Sequence, residues 1–100
     1  MPYRRTTTAV GLGHDHEAIT VDNSVQALTA AKAAQADRIF VTAETAEMRF
    51  RYDGGDPSTT VGHLIEDGDA LILYGTNNIK NFKAIRTGET SGVLRVTFEV

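Results

Sequence analysis

The chain contains no cysteine and no tryptophan. Without thiols it has no disulfide, no thiolate nucleophile and no zinc–thiolate site. Secreted domains this small often carry disulfides, so their absence points to synthesis in a reducing cytosol. No apolar run reaches the roughly 18 residues of a membrane span, and the N-terminus lacks the hydrophobic centre of a classical secretion signal. A soluble chain with no membrane contact is expected. Charge is also modest. Ten Lys and Arg stand against thirteen Asp and Glu, a net charge of −3, and that balance does not favour nucleic acid. Catalytic motifs are missing as well. There is no Gly-x-Ser-x-Gly. Gly11-Leu12-Gly13 neither follows a strand nor opens a helix, so it is no phosphate loop. A Ser/His/Asp triad has no positional support. No enzyme and no cofactor is expected.

What is present is β-text. Ala46–Tyr52, Asn78–Arg86 and Gly92–Phe98 each alternate apolar and polar residues with period two, the pattern of strands with one buried and one wet face. Arg38–Glu44 is β-branched and aromatic, and is expected to pair tightly with the Met48–Tyr52 strand. Ala18–Val21, Val25–Leu28 and His63–Ile65 read as short strands. Ala70–Tyr74 is almost continuously apolar and is placed in the middle of a sheet. Between the runs stand strong turn signals, Asp53-Gly54-Gly55-Asp56-Pro57, Glu66-Asp67-Gly68-Asp69 and Gly75-Thr76-Asn77-Asn78. The alanine-rich stretch 29–36 is too short for a stable helix and reads as a helical turn or a crossing loop. About seven or eight strands with turns roughly every 8 to 12 residues predict an all-β fold, a single small β-sandwich with Greek-key connections. The expected core is Ile39, Val41, Met48, Phe50, Tyr52, Leu71, Leu73, Phe82, Leu94, Val96 and Phe98.

The 100 residues divide into two parts. Residues 1–16 read as an extended N-terminal arm and residues 17–100 as the sandwich. The arm carries Arg4, Arg5, threonines and glycines that bury little. It is either a disordered tail or an arm that docks on a neighbouring subunit.

Candidate sites are few. His14 and His16 point the same way in an extended segment, but the only other histidine is His63, too few ligands for a zinc site. Asp53, Asp56, Glu66, Asp67 and Asp69 offer oxygen ligands for calcium, yet such residues also occupy turns for backbone reasons. No metal site is assigned. Arg49 and Arg51 share one strand face, and Lys83 and Arg95 alternate likewise against Phe82 and Leu94. If these strands share a sheet, its outer face carries a basic stripe. That stripe is either a solvated face paired with Glu47, Glu89 and Glu99 or a contact surface for an acidic partner. Arg4, Arg5, Arg49, Arg51 and Lys83 are the candidate partner-binding residues.

Two resemblances follow from these segments. Met48–Pro57, a strand running into Asp-Gly-x-x-Pro, looks like a motif of chitobiase-C-terminal-like immunoglobulin-type domains, and Ile79–Arg86 resembles their lysine–alanine strand. This implies an immunoglobulin-like sandwich. Over nearly the whole chain, the series Leu28–Ala31, Glu44–Ala46, Arg49–Gly54, Pro57–His63, Gly68-Asp69, Phe82–Gly88 and Ser91–Thr97 is similar to small virion structural proteins of tailed bacteriophages. That resemblance implies a virion component synthesised in the host cytoplasm. The reading taken is a capsid decoration (cement) protein on the capsid surface, bound to the major capsid protein as a closed homo-oligomer, a trimer. A head–tail or tail accessory protein is the alternative within that class. A carbohydrate-binding or adhesion module is the alternative outside it, and for that role only Tyr3, Tyr52 and Tyr74 offer aromatic surface.

Overall fold

The computed structural model describes residues 13–100. Tyr3, Arg4, Arg5 and the rest of the expected arm up to residue 12 lie outside the described residues. Eight strands follow in order: β1 (Gly13–Val21), β2 (Gln26–Ala27), β3 (Arg38–Glu44), β4 (Met48–Arg51), β5 (His63–Ile65), β6 (Ala70–Tyr74), β7 (Lys83–Arg86) and β8 (Gly92–Glu99). Two short helices, α1 (Ala30–Ala33) and α2 (Thr76–Lys80), lie between β2 and β3 and between β6 and β7.

The strands form two four-stranded sheets, ordered β1-β8-β3-β6 and β2-β7-β4-β5. Every pairing is antiparallel. The chain is therefore an all-β sandwich with Greek-key connections. Its strand order is that of an eight-stranded jelly roll, two Greek keys folded over one another, rather than the immunoglobulin order that the first resemblance implies. Antiparallel pairing fixes which loops share an end. The β2–β3, β4–β5 and β6–β7 connections lie at one end with both helices, and the other turns lie at the opposite end.

The core lies between the sheets. Alternate residues point inward from each strand: Ile39, Val41 and Ala43 from β3, Met48 and Phe50 from β4, Leu94, Val96 and Phe98 from β8. Phe82, Phe98, Ile39, Met48 and Ile79 are among the largest fully buried side chains. The phase of the alternation was legible in β3, β4 and β8, because only one face of each sheet meets the other sheet.

Several expectations need correction. β3 and β4 do not pair. β3 lies between β8 and β6, β4 lies between β7 and β5, and Thr45–Glu47 carries the chain from one sheet to the other. Thr45 takes a positive φ of 83° and donates its backbone N–H to Asp67 Oδ1 at 3.0 Å. β6 is an edge strand and not a central one. The segment 78–86 is not one strand. Gly75 turns the chain out of β6 with φ 94°, Asn78 Nδ2 donates to the Tyr74 carbonyl at 2.9 Å, and Ile79 and Phe82, three apart, both point into the core. That is helical spacing, and only β7 keeps period two. Tyr52 lies past the end of β4 and is 37% exposed. Leu71 is only partly buried. Finally, Gly13–His16 belong to β1 and not to an arm. Their side chains are all exposed, so no hydrophobic pattern marks them. Backbone pairing with the C-terminal half of β8, across a bulge at Gly13/Asp15, extends the strand.

Candidate functional site

The two outer faces differ in what they present. On the second sheet, β4 and β7 are neighbours, and Arg51 lies opposite Lys83. The structure therefore brings Arg49, Arg51 and Lys83 together as expected. Arg95 is elsewhere, on β8 of the first sheet, where its Nε donates to Glu44 Oε2 at 2.8 Å.

The three clustered cations are engaged by the chain itself. The β4–β5 connection, residues 52–62, folds back over them. Arg49 donates to the carbonyls of Thr59 at 3.2 Å and Gly62 at 2.7 Å. Arg51 grips Asp53 with two parallel bonds, 2.9 Å to Oδ1 and 2.7 Å to Oδ2, and reaches the Asp56 carbonyl at 3.2 Å. Lys83 Nζ bonds Asp56 Oδ1 at 3.0 Å. Asp53 also accepts the Gly55 N–H at 3.3 Å. The Arg51 fork, aided by that N–H, holds the Asp53 carboxyl down to about 2. The acidic partner of the stripe is thus its own loop, and the partners expected for it, Glu47, Glu89 and Glu99, are not the ones used. A planar guanidinium matches a carboxylate with two parallel bonds, which suits it to pinning a loop. Gly62 closes this loop with φ 123°, and a Cβ there would lie 2.9 Å from the Phe50 carbonyl oxygen. Only glycine fits both demands.

The metal candidates do not converge. His14 Nε2 hydrogen-bonds Gln35 Oε1 at 2.9 Å, and His16 Nδ1 hydrogen-bonds Thr97 Oγ1 at 3.1 Å. His63 is on the other sheet. Asp69 accepts the Glu66 N–H and Asp67 the Thr45 N–H, so these carboxylates hold turns. Among the described residues no group of three His, Cys, Asp or Glu side chains could hold an ion.

Two features were not foreseen. The first is the outer face of the first sheet around its open edge. Phe40 is 40%, Ile72 48% and Tyr74 58% exposed. Phe40 and Ile72 are cross-strand partners, and Arg38 lies over the Tyr74 ring, 5.7 Å from its centre. Their phase was readable, since Ile39, Val41 and Leu73 point the other way. The second is a chain of rings leading out of the core at the helix-bearing end. Phe82 stacks on Phe50 at 5.5 Å, Phe50 meets His63 at 5.4 Å and Tyr52 at 6.4 Å, and Tyr52 stacks on His63 at 6.1 Å. A cavity of about 400 Å³ opens where this chain of rings surfaces, lined by Arg51, Tyr52, Asp53, Gly62 and His63. His63 carried no sequence signal for this role, because only the β4–β5 register sets it opposite Phe50.

No family model, curated protein or solved structure matches this chain.

Proposed function

We propose that this chain is a bacteriophage virion structural protein, a decoration protein that binds the major capsid protein lattice and stabilises the assembled shell. It acts by covering surface and not by catalysis. The observation that carries this reading is the outer face of the first sheet. Phe40, Ile72 and Tyr74 form an apolar patch beside the open edge of β6. An edge strand is ordinarily guarded by lysine, proline or a bulge. β6, Ala-Leu-Ile-Leu-Tyr, carries no charge and no proline. Such a face is a surface built to be covered. In this reading it meets the shell, and the copies close into a cyclic homo-oligomer, a trimer. Two further points support it. The jelly roll is an architecture used by viral shell proteins, and residues 28–97 resemble small virion proteins of tailed phages. Fold alone does not assign a role, so the surface carries the argument.

With Arg49, Arg51 and Lys83 engaged by their own loop, the proposed contact moves from the basic stripe to the apolar face. Arg4 and Arg5 lie outside the described residues. A protein that binds only the assembled shell stabilises it by mass action. Particles lacking the protein should form and then rupture at lower temperature. Added wild-type protein should restore resistance, and Ile72→Lys should not. Full restoration by Ile72→Lys would remove this face from the interface. Mapping of the protein to a single vertex or to the tail would replace decoration with the head–tail accessory role.

A further inference from the structure

The cavity at the helix-bearing end has a composition of its own. One wall is a pair of rings, Tyr52 and His63, 25° from parallel with centres 6.1 Å apart. Both residues are exposed, and each carries a polar ring group able to hydrogen-bond a ligand. Beside them lies the Arg51–Asp53 pair. Its charges cancel each other, so the cavity holds no unbalanced charge to select an anion or a cation. Three of the five guanidinium N–H groups are already given to Asp53 and to the Asp56 carbonyl. The remaining donors and the outer lone pairs of Asp53, whose side chain is 62% exposed, stay available. Gly62 adds bare backbone to the lining, with no side chain to fill the space. A volume of about 400 Å³ lies in the ordinary range for small-molecule sites, which combine apolar walls with a few placed polar groups.

This combination selects a neutral ligand with one flat apolar face and hydroxyls at its rim. We propose that the cavity is a saccharide-binding site. The C–H face of a pyranose lies on the Tyr52–His63 platform, its hydroxyls donate to Asp53, and they accept from Arg51 or His63. The Arg51–Asp53 fork is held by the loop before any ligand arrives, so little side-chain freedom is lost on binding. The platform belongs to the second sheet, and the site stands whether or not the Phe40–Ile72–Tyr74 face meets a shell.

The test is a titration of the isotope-labelled full chain with maltotriose, cellotriose, chitotriose and mannotriose, read by amide NMR. At least one should shift the amides of residues 51–53 and 62–63 saturably, with a Kd on the order of millimolar or tighter. Tyr52→Ala should weaken that binding about ten-fold or more, as loss of a central aromatic anchor does, while Tyr52→Phe, which keeps the ring, should stay within a few-fold. His63→Ala, at an exposed position, gives the same readout if Tyr52→Ala fails to fold. The proposal is overturned if no sugar moves these amides. It also fails if the shifts survive loss of either ring, or if inorganic phosphate reproduces them.

Discussion

On the first sheet, Phe40, Ile72 and Tyr74 stand exposed. On the second, Arg49, Arg51 and Lys83 are bound by the Asp53–Gly62 loop of the same chain. Both faces are the outward half of an ordinary period-two alternation. Their roles are the reverse of what residue type implies. The cations, which read as a surface for a partner, hold the fold together. The apolar residues Phe40, Ile72 and Tyr74, which residue type assigns to an interior, are the ones left uncovered. Arginine and lysine reach far enough to find carboxylates and carbonyls several residues away, so a basic stripe is readily satisfied within the molecule. Phe40 and Ile72 have no such reach, and on the outside of a two-layer sandwich no third layer covers them.

Four experiments sharpen or break that contrast. The largest effect belongs to the core that both faces share. Phe82→Ala removes a ring that is 1% exposed and stacked on Phe50, and should cost about 3 to 5 kcal/mol. Thermal melting at the wild-type temperature would mean that Phe82 does not join the two layers. Next comes Arg49→Ala, which strips donors from the Thr59 and Gly62 carbonyls and should cost about 1 to 2 kcal/mol. Limited proteolysis should then cut faster between Asp56 and Val61, and an unchanged cleavage rate would return Arg49 to the role of a free surface cation.

Acid gives the third. Asp53 has its carboxyl held at about 2, below its ordinary 3.8, chiefly by Arg51 and then by the Gly55 N–H. A depressed folded value stabilises above the unfolded one. The contribution is complete above about 3.8 and is lost as pH falls through about 2. The amides of Gly55 and Gly62 should shift over that window, and Asp53→Asn should abolish the transition. If Asp53→Asn leaves the acid transition in place, another group holds the loop. The smallest effect on stability is expected on the other face. Ile72→Lys places the natural guard of an edge strand at an exposed position and should change stability by no more than about 0.5 kcal/mol. A larger loss would show that Ile72 serves the fold, and the contrast between the two faces would fail.

Much of the fold was legible because long strands between two layers must alternate. The inward residues of β3, β4 and β8 follow directly from that rule. The helix at Thr76–Lys80 was missed because the alternation of Phe82–Ile85 was carried back over residues 78–81, although Ile79 and Phe82 are three apart and share a face only in a helix. Tyr52 was read as core because it continues the phase of Met48 and Phe50. The strand ends one residue earlier, and the ring surfaces beside His63. Of the site residues, Arg49, Arg51 and Lys83 were found as a cluster, but their partners were not. Asp53 and Asp56 lie in a loop whose path depends on Gly62 and on the β4–β5 register.

The sequence by itself determined the class of fold, the facing of β3, β4 and β8 and the lack of any thiol chemistry. Each depends on residue type and on separations of one to four positions. Tertiary structure alone decided which strands are neighbours: that β3 leaves β4 for β8 and β6, that an apolar run forms an edge, and that an acidic turn closes on a basic stripe. Those outcomes depend on contacts between distant segments. β1 and β8 lie at opposite ends of the described chain and still form one pair. A local pattern records that a face must be buried, and only the closed sandwich specifies what buries it.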